Sequence, residues 1–81
     1  MESYKTKGVC SSEIQFEITD NIIQKVVFIN GCPGNALGVA RLVKGLTLQE
    51  AISRLKGIDC RGRGTSCPDQ LAKAFEAYLI K

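Results

Sequence analysis

Residues 12–19, Ser-Glu-Ile-Gln-Phe-Glu-Ile-Thr, alternate strictly, with Ile14, Phe16 and Ile18 on one side of an extended chain and Glu13, Gln15 and Glu17 on the other. A period of two predicts a half-buried β-strand whose apolar side faces the core. Asp20-Asn21 follows, a pair that tolerates positive φ, and residues 22–30 then form a second run that is apolar on both sides. A tight hairpin is expected, in which a two-residue turn pairs Ile18 with Ile23 and Ile14 with Val27. Continued outward, that register sets Cys10 opposite Gly31 and so beside Cys32. On the second strand Ile23, Val27 and Ile29 fall on one face and Ile22, Val26 and Phe28 on the other. The first face should meet helices, and the outer face of Ile22, Val26 and Phe28 is expected to be covered by a partner or a second copy of the chain. Tyr4 to Val9 reads as a third strand, with a bend at Gly8.

From Pro33 onward the period becomes helical. Pro33 suits a first-turn position, Ala36, Leu37, Ala40 and Val43 recur at helical spacing, and Gly45 closes the segment. Thr47-Leu48-Gln49-Glu50 has the form of a capping box and opens a short helix with Leu48, Ala51, Ile52 and Leu55 inward and Gly57 as its stop. Ser66-Cys67-Pro68-Asp69 repeats the capping pattern before a last helix with Leu71, Ala72, Phe75, Tyr78 and Leu79 on its apolar side. This order predicts an α+β fold, a small antiparallel sheet of two or three strands followed by three helices packed on one face. No repeat, linker or low-complexity tract breaks the pattern, and 81 residues make one domain, 1–81, with one modest core.

Composition narrows the setting. An apolar fraction of 44% and a charged fraction of 23% are ordinary for a soluble protein, and no apolar run approaches the roughly 18 residues that span a membrane. The first residues, Met1-Glu2-Ser3-Tyr4-Lys5, carry no apolar stretch of the signal-peptide kind, so a cytoplasmic protein is expected. The net charge of +3 is mild. Arg61 and Arg63, with Lys44, Lys56 and Lys73, could attract phosphate or nucleic acid, but no aromatic stands beside the arginines to stack a base, so nucleic acid is not the expected partner.

Candidate chemistry lies in four cysteines, Cys10, Cys32, Cys60 and Cys67, in a chain without histidine. Three readings stand open. A disulfide framework requires an oxidising compartment. Unpaired thiols can serve as small buried hydrophobes. A tetrathiolate metal site fits the placement best, because each cysteine sits among turn residues at an expected element end and a short chain gains from such a staple. Cys32 and Cys67 fall at helix N-termini, where free amides and the helix dipole favour thiolate over thiol. Gly31, Gly34, Gly62 and Gly64 allow close backbone approach to an ion, and the two arginines would offset the charge of a four-thiolate site. Asp59, Asp69 and Glu50 read as capping and solvated carboxylates, and no catalytic residue is assigned.

The run Thr65-Ser66-Cys67-Pro68-Asp69, together with Gly31-Cys32-Pro33-Gly34 and two further cysteines, resembles the small four-cysteine TSCPD-domain family, related to a C-terminal region of adenosylcobalamin-dependent ribonucleotide reductases. The resemblance spans nearly the whole chain and implies metal ligation, zinc foremost, by Cys10, Cys32, Cys60 and Cys67, without reductase catalysis in a chain this short. A looser likeness is to the iron-sulfur scaffold proteins of the IscU and NifU kind, with counterparts at Cys10, Gly31-Cys32, Lys44-Gly45, Glu50-Ala51 and Cys67. It implies the same strand-then-helix fold. Ser12 and Ser66 stand where those proteins have aspartate and histidine, and Cys60 supplies a fourth thiol that would close the site. The expected function is a metal-binding domain, with zinc as cofactor and an iron-sulfur cluster as the alternative, accessory to a larger partner such as a ribonucleotide reductase. A thiol redox accessory using Cys60 and Cys67 is the third reading.

Overall fold

The computed structural model of the chain describes residues 2–6, 11–30, 33–58 and 64–80, the side chains of 33–36 excepted. Strands β1 (Glu2–Lys5), β2 (Glu13–Thr19) and β3 (Ile22–Ile29) precede helices α1 (Pro33–Val43), α2 (Leu48–Leu55) and α3 (Cys67–Leu79). The strands form one antiparallel sheet in the order β1-β2-β3, which with the helices is the expected α+β arrangement.

Asp20 and Asn21 have φ of 53° and 67°, the paired left-handed conformation whose twist suits a two-residue hairpin. Ile18 opposes Ile23, as the turn requires. The register then shifts. Glu17 opposes Lys25, which leaves Gln24 unopposed, and Ile14 meets Phe28 instead of Val27. One extra residue turns the alternation of β3 over, so Ile23 before it and Val26 after it are both buried, and Phe28 packs on the same core. The expected outer face of Ile22, Val26 and Phe28 is thereby corrected: Val26 is 8% exposed and belongs to the core. The expected opposition of Cys10 and Gly31 lies outside the described residues.

The third strand is also displaced. It spans Glu2–Lys5 and not Tyr4 to Val9, with Tyr4 opposite Ile14. Gly8 and Val9 lie outside the described residues. At the other side of the sheet, the Ile23 N–H donates to the Leu46 carbonyl (2.9 Å) and the Gly45 N–H to the Ile23 carbonyl (2.8 Å), so the α1–α2 connection covers the start of β3. Gly45, at φ 89°, takes the left-handed conformation needed to leave α1 and enter that contact.

Ile14 and Phe16 of β2, Ile23 and Val26 of β3, Val43 of α1, Leu48 and Ala51 of α2, and Leu71 and Phe75 of α3 form the buried core. Phe16 meets Phe75 edge to face at 5.2 Å and Tyr78 at 5.9 Å. The helical stripes hold with two corrections, and the side chain of Ala36 lies outside the described residues. Leu37 is 53% exposed, because α1 lies against β3 with a narrow side made of Val39, Ala40 and Val43. Leu79, at the last helical position of α3, is 44% exposed. The capping box of α2 forms as expected: Thr47 Oγ1 accepts from the Glu50 N–H and the Glu50 carboxylate accepts from the Thr47 N–H, each at 3.2 Å. Those bonds from Thr47 hold the Glu50 carboxyl below its ordinary range.

Candidate functional site

Cys67 is the first residue of α3, directly after the N-cap Ser66, and its half-buried thiol forms no disulfide among the described residues. The four residues around it fix the start of that helix. Ser66 Oγ accepts from the Asp69 N–H (3.1 Å) and donates to the Ile58 carbonyl (2.7 Å). The Asp69 carboxylate accepts from the Gly57 N–H (2.7 Å) through one oxygen and from the Thr65 hydroxyl (2.7 Å) through the other. Lys73 Nζ stands 3.3 Å from that second oxygen, one helical turn on. Thr65 Oγ1 in turn accepts from the Gln70 side-chain amide at 2.9 Å. Pro68 sits in the first turn, where its missing N–H costs no helical bond.

All four polar side chains, Thr65, Ser66, Asp69 and Gln70, are at most 9% exposed. Burial works against ionisation of Asp69, but the Thr65 hydroxyl, the Gly57 amide and the Lys73 ammonium together hold its carboxyl below the ordinary aspartate range. Asp69 is therefore not the solvated carboxylate expected. It reaches beyond its own helix and ties the start of α3 to the residues that follow α2. Glu50 keeps its capping role, and Asp59 lies outside the described residues.

A second support comes from the open end of the hairpin. Ser11, 2% exposed, places its hydroxyl 3.4 Å from Cys67 Sγ across 56 residues of sequence. The Ser12 N–H donates to the Ile29 carbonyl at 2.8 Å, the Thr6 N–H donates to the Ser12 carbonyl at 3.2 Å, and the Thr6 hydroxyl bonds the Ser11 carbonyl. Asn30, with φ of 58°, donates its side-chain amide to Ser12 Oγ at 3.1 Å. Ser11 carries no sequence signal for this role. Its contact depends on how the sheet end meets α3.

Of the expected ligands, Cys67 is placed; Cys10, Cys32 and Cys60 lie outside the described residues, as do Arg61 and Arg63. Among the described residues no group of three or more cysteines or carboxylates could hold a metal ion. Described neighbours of two of the other cysteines meet the start of α3, and that of the third bonds the hairpin end beside it. Ser11 follows Cys10 and touches Cys67, Asn30 stands two residues before Cys32 and bonds Ser12, and Ile58 stands two before Cys60 and bonds Ser66. The lysines expected to attract anions are partly committed: Lys56 pairs with Glu76 at 2.8 Å and Lys73 with Asp69, while Lys44 is exposed. Among the described residues no helix is long and apolar enough to cross a membrane.

A family model described as TSCPD domain matches residues 2–79. No curated protein and no solved structure matches the chain.

Proposed function

The chain belongs to the TSCPD domain family, and we propose that it is a metal-binding domain in which Cys10, Cys32, Cys60 and Cys67 hold one ion, zinc, as a structural staple. The observation that supports this is the convergence of the cysteines' described neighbours. Ser11, the residue after Cys10, meets Cys67 Sγ, and Ile58, two residues before Cys60, bonds Ser66 next to it. Asn30, two residues before Cys32, bonds Ser12 beside Ser11. When bound, the ion supplies a tetrahedral cross-link between parts of the chain distant in sequence. Ser11, Ser66 and Asp69 position the protein for it. The domain acts in turn as an accessory of a larger enzyme of ribonucleotide reduction, in line with its motif.

Metal binding free energy is folding free energy in such a site, because the unfolded chain holds its ligands far apart. The test is thiol titration of native protein with and without a strong chelator, alongside elemental analysis. Protection of all four thiols that collapses on chelation, in a colourless sample with one zinc per chain, is the expected result. Cys67→Ser should lower both metal content and stability. A brown sample with visible absorption would replace zinc by an iron-sulfur cluster. Four freely reactive thiols in folded, metal-free protein would overturn the site.

A further inference from the structure

β1 is an edge strand: it pairs with β2 on one side, and among the described residues nothing pairs with it on the other. Backbone direction along it follows from its register. The Thr6 N–H bonds the Ser12 carbonyl, in step with the Glu2–Phe16 and Tyr4–Ile14 oppositions. Hydrogen-bonded and non-bonded pairs alternate in an antiparallel ladder, so Glu2, Tyr4 and Thr6 turn their backbone groups to β2. The far side of the sheet agrees. Ile23 gives its N–H and carbonyl to the 45–46 segment, so Ile22 bonds Thr19 and the odd residues of β2 face β3, leaving the even ones for β1. Ser3 and Lys5 therefore present N–H and carbonyl to the open edge.

Below this edge, on the helix side of the sheet, lies a recess of about 190 Å³ walled by Tyr4, Phe16 and Tyr78, with Ala74 and Ala77 of α3 as its floor. Two alanines where a larger side chain would fill the gap leave room for an aromatic ring. On the other side of the sheet the Ser3 hydroxyl donates to a Glu13 carboxylate oxygen at 2.7 Å and Lys5 of the same chain stands opposite Glu13, so charges of both signs lie along the edge. An incoming strand thus gains from an aromatic side chain toward the helices and, one position along, a cation on the other face, in antiparallel sense. β1 itself has this pattern.

We propose that the open edge of β1 pairs with the same edge of a second copy of this chain, joining two three-stranded sheets into one about a twofold axis at Tyr4. Only residues that face outward can exchange backbone bonds, and Ser3 opposite Lys5 of the second copy, with the reverse, is the register in which both outward residues of each strand do so. Tyr4 then meets its symmetry mate as a close non-bonded pair on the helix side, where the recess takes the second ring. Lys5 of the second copy comes beside Ser3 and its bonded Glu13 carboxylate. Nothing in this pairing uses a cysteine, so it stands or falls apart from the metal site.

Sedimentation equilibrium of the whole chain over a concentration series reads the outcome directly. Wild type should dimerise. Lys5→Pro removes an outward N–H while leaving the β1–β2 ladder intact, since proline is tolerated on an edge whose N–H faces solvent; it should abolish dimerisation with an unchanged native circular dichroism spectrum. Should Lys5→Pro fail to fold, Ser3→Pro removes the other outward N–H of the edge and should raise the dissociation constant about tenfold or more. A wild type that stays monomeric up to about 1 mM overturns the proposal. So does a dimer that neither variant weakens, or a monomer whose edge captures only an unrelated extended peptide.

Discussion

Asp69→Asn keeps the shape of a buried side chain and removes its charge. In the native protein that carboxylate takes hydrogen bonds from the Gly57 amide and the Thr65 hydroxyl, both at 2.7 Å, in a site only 3% exposed. A bond to a charged group contributes about 1.5 to 3 kcal/mol and a neutral one about 0.5 to 1.5, so two downgraded bonds cost about 2 kcal/mol. Lys73 is half exposed and adds little. For a chain of this size total stability is roughly 4 to 12 kcal/mol, so the loss is a substantial share. The midpoint of thermal unfolding should fall by about 8 to 16 °C. Urea titration measures the gap, with the slope unchanged because the buried surface is. Acid supplies an independent check of sign. The Asp69 carboxyl is held below its ordinary value, so its stabilisation is complete above the unfolded pKa near ~4 and is lost as pH falls through the folded value. The gap between wild type and variant should be flat from neutral pH to about 5 and should close in stronger acid. Both proteins are compared with and without a strong chelator, so that any part of the gap carried by the proposed metal site is read separately. A gap below about 0.5 kcal/mol at neutral pH, or one that does not narrow in acid, would refute the assigned network.

Two further substitutions test the fold around the site. Phe16→Ala should cost about 3 to 5 kcal/mol, since the ring is 2% exposed and lies edge-on to Phe75. A urea-measured loss under about 1 kcal/mol would mean that the helices do not cover that face of β2. Thr47→Ala removes half of the α2 capping box and should cost about 1 kcal/mol by the same titration, with no change as the contrary result.

The hairpin is legible as far as Ile18 and Ile23, because alternation and turn chemistry agree there. Beyond that, β3 is apolar on both sides except for the adjacent polar pair Gln24-Lys25, the only mark of the extra residue at Gln24, and every later pairing and both faces shift with it. α2 is legible for the opposite reason: its cap, its stripe of Leu48, Ala51, Ile52 and Leu55, and its glycine stop all point to one arrangement. α1 offers leucines all round, and only the packing shows that Leu37 and Leu42 face out while Val39 turns in. At the candidate site, Ser66 and Asp69 are readable as a helix start. That the Asp69 carboxylate leaves its own helix for Gly57 is not, since a capping pattern specifies partners within one turn and says nothing of a neighbouring chain segment. Ser11 is the extreme case, a residue without local pattern whose partner is 56 positions away.

The five residues from Thr65 to Asp69 divide one task between them. A thiol at the first position of a helix is placed only as well as that helix start, and a helix end held by solvent frays. Here the start is held from both directions. Ser66 and Asp69 bind the backbone of 57–58, Thr65 and Gln70 complete the buried network, and Ser11 brings the hairpin end against the sulfur itself. Each of these polar groups bonds within the protein, so the motif specifies where Cys67 stands, and in the proposed site the choice of ion falls to the thiols. Zinc and an iron-sulfur cluster both accept four thiolates, and the same buried network serves either one. The motif is therefore a requirement of geometry, and whether the proposed site takes zinc or a cluster is a separate question that chemical analysis of the protein answers.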